Sequence, residues 1–157
     1  MTDSKTNAMR LLDRARIPYQ THAYDPENGI DGLSVARSLG QEPQRVFKTL
    51  VAQGKSRAFY VFILPVAETL DLKAAATACG EKAVALIPQK LLLPTTGYVH
   101  GGCSPFAMKK AFPTVLDASA AAHPTICVSA GRIGLQLELS PEDLLRLTKG
   151  TLAQLAG

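Results

Sequence analysis

Short β-rich runs recur from Tyr19 to Leu139, each ended within a few residues by glycine, proline or a polar turn, and helical segments separate only some of them. Gln44 to Ala52 and Ala58 to Leu64 flank Gln53-Gly54-Lys55-Ser56-Arg57, the pattern of a hairpin with a five-residue loop. Further strands are expected at Tyr19 to Tyr24, Ala83 to Ile87 (as a buried strand), Thr114 to Asp117, Thr125 to Ser129 and Leu135 to Leu139. Regular alternation of strand and helix would give a doubly wound parallel sheet, and it is missing here. The expectation is an α+β fold: one domain over residues 1–157, with a mixed sheet curled toward a barrel and flanked by helices.

The helices carry readable ends. Ser4 to Arg16 places Ala8, Leu11, Leu12 and Ala15 at helical spacing before Ile17-Pro18 stops the pattern. Leu33 to Leu39 ends at Gly40, and Asp71 can cap Leu72 to Cys79 before Gly80. A short turn of helix is expected at Gln89 to Leu93. Ser140-Pro141-Glu142-Asp143 combines a capping hydroxyl, a proline at the first helical position and nearby acids, so a last helix runs over 141–148 and can resume to Leu155.

With 157 residues and 46% apolar content, the chain can bury the core of one domain. No run approaches the roughly 20 apolar residues of a membrane span, and no basic-then-apolar leader opens the chain, so a soluble cytoplasmic protein is expected. Cys79, Cys103 and Cys127 are odd in number and widely spaced, which favours free thiols. Metal-ligand spacings and nucleotide-binding glycine motifs are both missing, so neither a metal nor a cofactor is expected. A net charge of +4 and a pI near 9.1 favour a polyanionic partner.

Two stretches hold the candidate chemistry. Thr96 to Pro105 reads Thr-Gly-Tyr-Val-His-Gly-Gly-Cys-Ser-Pro, a Tyr-Val strand stopping in a tight loop whose bare N–H groups can meet an anion or a carbonyl oxygen. Lys48 is the odd residue in apolar Val46-Phe47-Lys48-Thr49-Leu50, where it either snorkels or is held in a cleft. His100 and Cys103 could form a Cys–His pair, although three residues on an irregular loop do not make the side chains face each other. Ser104 and Ser129 sit in no G-x-S-x-G elbow.

Several fragments in one order resemble the YbaK/EbsC family of free-standing aminoacyl-tRNA editing proteins. They are His22-Ala23-Tyr24, Val46 to Val51, Leu70-Asp71-Leu72-Lys73, Thr96 to Pro105, Lys109-Lys110, Val128-Ser129-Ala130-Gly131, and Gly134-Leu135 running to Glu138-Leu139. The resemblance covers nearly the whole chain. It implies the fold of the prolyl-tRNA synthetase editing domain and hydrolysis of mischarged tRNA, with Cys-tRNA(Pro) the best-known substrate of such proteins.

By that resemblance Lys48 and Gly101 are the catalytic residues, and neither is a nucleophile. Tyr24, Thr49, Gly102, Ser104, Pro105, Ser129 and Gln136 match substrate-binding positions, while Lys109 and Lys110 are candidate phosphate contacts. The chain departs from the pattern at Asp31-Gly32, where Phe-Gly is usual, at Ala130-Gly131 and at Gln136, where an aspartate is common. The first and third of these departures bear on which amino acid is preferred. The implied partners are mischarged tRNA, above all tRNA(Pro), and prolyl-tRNA synthetase. The alternatives are a deacylase for another amino acid and a non-catalytic module that binds tRNA or a synthetase.

Overall fold

The computed structural model describes residues 4–157. Thr6 opens α1 (Asn7–Arg14), its hydroxyl accepting the Met9 N–H at 3.2 Å, and the helix buries Ala8, Met9 and Leu12. After β1 (Gln20–Ala23), Asp31 caps α2 (Gly32–Leu39). The β2 (Phe47–Gly54) and β3 (Phe59–Pro65) strands form the expected hairpin, paired from Phe47 with Pro65 to Gln53 with Phe59. Pro43 opens a tight 3-10 turn over Pro43–Arg45, so β2 starts later than its β-rich composition suggests and Lys48 is its second residue.

Asp71 caps α3 (Leu72–Cys79) by accepting the N–H groups of Lys73 at 3.0 Å and Ala74 at 3.1 Å. Next come β4 (Val84–Leu86), α4 (Leu92–Thr96), β5 (Thr114–Asp117), β6 (Ile126–Arg132) and β7 (Leu135–Leu139). Ser140 then caps α5 (Pro141–Thr148) through the Asp143 N–H at 3.1 Å, and β8 (Thr151–Ala153) follows.

The strands make two sheets. One has three antiparallel strands in the order β1-β7-β6, and the other has five in the order β4-β2-β3-β5-β8, with β3/β5 and β5/β8 parallel. A parallel bridge from Val46 to Cys127 joins them, so the mixed sheet curls without closing into a barrel. Phe47, Ile63, Phe106, Leu116, Ile126 and Leu137 fill the main core, each side chain worth about 1.5–3 kcal/mol on burial.

Three expectations are corrected. Tyr98-Val99 is not a strand: the Tyr98 N–H bonds the Thr96 hydroxyl at 3.0 Å and its phenol donates to the Phe106 carbonyl, so its hydrogen bonds stay within the loop. The last helix does not resume, because Lys149 takes a left-handed conformation at φ 56° and the chain turns into β8 beside β5. The strand at residues 83–87 is an edge strand with Ala85 and Leu86 exposed, not a buried one.

Candidate functional site

A cleft of about 250 Å³ opens between the entry to α2, the start of β2, the His100–Cys103 loop and the facing residues of β6 and β7. Tyr24, Lys48, Thr49, Gly101, Ser129 and Gln136, far apart in sequence, all line it. The start of β2 supplies Lys48 and Thr49, and β7 supplies Gln136, which pairs with Ser129 across the ladder and with His22 on the other side. A register shift between Ser129 and Arg132 bulges β6, and the Ser129 hydroxyl accepts the Gly131 N–H at 3.1 Å inside it.

The cleft is set apart by what is unpaired in it. Among the described residues, the buried side-chain polar atoms without a hydrogen-bond partner include the Tyr24 hydroxyl, the Thr49 hydroxyl and Gln136 Oε1, and all three residues line this cleft. A folded chain rarely leaves buried polar atoms unsatisfied, so a group of them in one concavity marks a place for a ligand's own donors and acceptors. A larger open depression of about 570 Å³ against α1 is different: Lys5 pairs with Asp13, the Tyr19 phenol donates to Asp13 at 3.0 Å, and Arg132 donates to the Ser4 carbonyl. Its polar groups are already engaged.

Lys48 is half-buried, and its Nζ donates to the Glu68 carbonyl oxygen at 2.6 Å. Burial lowers its pKa from the usual lysine value, and the Glu68 carboxylate opposes that effect. The cation is thus held at the cleft and not extended into solvent. Gly101 has φ +89°, and a side chain there would bring a Cβ within 2.9 Å of Ile30 Cδ1. Gly102 packs against the turn after β6, where a Cβ would meet the Ile133 backbone nitrogen at 3.1 Å. Its N–H donates to the Val99 carbonyl at 3.0 Å. Gly102 therefore closes the turn that presents Gly101, and its own N–H is already spent.

The other expected residues lie away from the cleft. Ser104 is fully buried behind the loop, where its hydroxyl accepts the Phe106 N–H at 3.3 Å. Pro105 borders a separate depression with Phe106 and Met108. Lys109 and Lys110 are exposed, and the Lys109 stem lies over Gly97 while its Nζ donates to the Pro94 carbonyl at 3.3 Å. Cys103 does line the cleft, but burial pushes its thiol up to about 12, so it is a neutral thiol at pH 7 and a poor nucleophile. That argues against a Cys103–His100 nucleophile.

Two features go beyond the sequence reading, which marks Asp31 only as a departure from the family pattern and gives Glu138 no role of its own. Asp31 lines the cleft mouth while it caps α2, accepting the Ser34 N–H at 3.2 Å, and hydrogen bonds from Ser34 hold its carboxyl below the usual range. Behind the cleft, Glu138 receives His22 Nε2 at 2.7 Å, Arg45 Nη2 at 3.2 Å and the Thr125 hydroxyl at 2.5 Å. His22, Cys127 and Glu138 bring possible metal-ligand atoms within 4.8 Å of one another, but the carboxylate is already bonded to those three partners. The cluster is better described as a brace. It ties β1, β7 and the turn before β2 together, and so fixes where β2 begins and where Lys48 stands.

The described residues include no helix long and apolar enough to cross a membrane. A family model described as an aminoacyl-tRNA editing domain matches residues 31–147. EbsC of Enterococcus faecalis (strain ATCC 700802 / V583), provisionally named a Cys-tRNA(Pro)/Cys-tRNA(Cys) deacylase, is 45% identical over 98% of this chain and 94% of its own length. Among solved structures, the hypothetical protein APE2540 superposes with a TM-score of 0.89 at 20% identity, covering 97% of this chain and all 100% of its own. A protein provisionally titled a trans-editing enzyme for prolyl-tRNA synthetase gives 0.83 at 21%, covering 98% and 99%. These two likenesses establish a shared fold. The family match takes in the entry to α2, β2, the glycine loop and β7, and on it the chain belongs to the aminoacyl-tRNA editing domain family.

Proposed function

We propose that this protein is an aminoacyl-tRNA deacylase that acts in trans on mischarged tRNA, with Cys-tRNA(Pro) its foremost substrate. The observation that carries the reading is the union, in one cleft, of a held lysine, a glycine loop and three unpaired buried polar atoms. An aminoacyl ester is already activated, so catalysis needs its carbonyl positioned and the developing oxyanion stabilised more than it needs a protein nucleophile. Gly101 lines the cleft, and its N–H would be the donor to that oxygen. Lys48 contributes positive charge beside the ester or the terminal ribose.

For a cysteinyl ester the nucleophile is on the substrate. Its thiol sulfur attacks its own carbonyl carbon, the bond to the ribose oxygen breaks, and that oxygen takes the thiol proton, giving a cyclic thiolactone and free tRNA. Intramolecular attack of this kind reaches effective molarities of roughly 10⁵ M or more when aligned. Tyr24, Thr49, Ser129 and Gln136 would orient the aminoacyl group, with Gly102, Ser104 and Pro105 holding the loop in shape. Lys109 and Lys110 would meet RNA phosphates. The protein would work in the cytoplasm, where tRNA is charged, alongside prolyl-tRNA synthetase.

The test is deacylation of a panel of mischarged tRNAs by wild type and Lys48→Ala, with tRNA binding measured in parallel. Wild-type hydrolysis of Cys-tRNA(Pro), lost in Lys48→Ala with binding retained, is the expected result. Binding with no turnover on any substrate would make the protein a tRNA-binding module and end the enzymatic reading.

A further inference from the structure

Asp31 is the one carboxylate among the described residues that line the cleft, where Lys48 and His100 supply the basic side chains. Its Oδ2 accepts the Ser34 N–H at 3.2 Å, the ordinary work of a helix cap. An ionised carboxylate offers about four lone-pair sites, so the bonds from Ser34 leave it capacity for a further donor in the cleft it lines. Deeper in the same cleft, Gln136 is only 6% exposed and its Oε1 has no partner. Two acceptors, one charged at the rim and one neutral in the dry floor, lie on a concavity that binds nothing of its own chain there. What they lack is a donor.

An aminoacyl ester has one strong multiple donor, its α-ammonium group, attached to the carbon next to the reacting carbonyl. The ester carbonyl and ester oxygen are acceptors and cannot satisfy the Asp31 carboxylate or Gln136 Oε1. We propose that Asp31 and Gln136 form the subsite for the α-ammonium group, so that this cleft selects esters with a free amine over α-hydroxy or N-acylated esters. The inference rests on the deacylase reading and adds to it the recognition of the amine. Gln136 supplies a hydrogen bond out of contact with water, where such a bond is strong, and Asp31 supplies the charge from a position partly screened by solvent. Binding the amine here fixes the carbonyl carbon one bond away, and a substrate without it loses alignment as well as affinity.

The experiment uses the full-length protein and tRNA(Pro) acylated with cysteine, with its α-hydroxy counterpart 3-mercaptolactate, or with N-acetylcysteine. Asp31→Asn and Asp31→Ser keep a good capping residue while removing the charge, and thermal unfolding checks that both remain folded. The quantity read is the ratio of kcat/KM for the cysteinyl ester over the mercaptolactyl ester. The expected result is a wild-type preference for the free amine that falls by about tenfold in both variants, the factor that one charge-assisted hydrogen bond commands. A merely structural role for Asp31 would lower both rates together and leave the ratio fixed. Wild-type turnover with an unchanged ratio in folded Asp31→Asn overturns this inference and leaves the deacylase reading standing. No turnover by wild type on any of the three esters overturns both.

Discussion

Replacing Gly101 by alanine tests the loop on two independent scales. The residue sits at φ +89°, where an L side chain is strained by about 1–2 kcal/mol. Its new Cβ would also lie 2.9 Å from Ile30 Cδ1, closer than real contacts allow. That methyl is the far end of a flexible side chain, so the clash is relieved by moving Ile30 off its rotamer at about 0.5–1.5 kcal/mol. Gly101→Ala should therefore destabilise the protein by roughly 1.5–3.5 kcal/mol. Adding Ile30→Ala should recover the clash but not the backbone strain, and a double-mutant cycle on urea unfolding separates the two. If the loop instead relaxes toward negative φ, the Gly101 N–H swings away from the ester oxygen, and kcat should fall by about 10²–10³, the range for one lost oxyanion donor. Single-turnover deacylation of Cys-tRNA(Pro) reads that loss. Unfolding within about 0.5 kcal/mol of wild type together with unaltered kcat would refute both the strain and the donor role.

Features that depend on neighbouring residues were legible in the sequence. The β2–β3 hairpin announces itself through two β-rich runs and a polar loop, and α3 and α5 through Asp71 and Ser140, whose caps form as expected. Features that depend on distant pairings were not. Nothing near Val61 indicates that it lies parallel to Thr114, or that Thr151 follows on the far side of β5. The segment after α5 keeps apolar residues that could continue a helix. What redirects it is remote: Asp117, whose Oδ1 accepts the N–H groups of Leu155 at 2.8 Å and Ala156 at 3.2 Å and so ties the chain beside β5.

The site divides in the same way. Lys48 stood out because a charge in an apolar run has to be accounted for, and the glycine loop because paired glycines rarely serve packing alone. That Gly102 spends its N–H on Val99 is a property of the folded turn, and composition cannot reveal it. The brace at Glu138 joins His22, 116 residues away, to Arg45, 93 away, and each residue alone looks like an ordinary polar side chain on a strand or turn.

Three further outcomes are expected. Asp117→Ala leaves the buried Leu155 N–H and its neighbours unpaired, at about 1–3 kcal/mol for each such donor, so denaturant unfolding should show a large loss that Asp117→Asn partly restores. Equal stability of wild type and Asp117→Ala would contradict that role. Cys103→Ser should retain deacylation, because a thiol held near 12 is not the nucleophile, whereas a fall on the order of a hundredfold would revive the Cys–His pair. The brace should appear in the acid limb of stability. The Thr125 hydroxyl foremost, then His22 and Arg45, lower the Glu138 pKa against the opposing effect of burial. Its folded value thus lies below its unfolded value of about 4.3, and between the two the unfolded chain binds more protons. The stabilisation from Glu138 is therefore complete above that pH and drains away as pH falls through the lowered folded value. Thermal unfolding followed from pH 6 downward should show wild type losing stability in that window. Glu138→Gln, which has no proton to bind, should start less stable at neutral pH and converge toward wild type in acid; parallel profiles would mean that the carboxylate's ionisation does not support the brace.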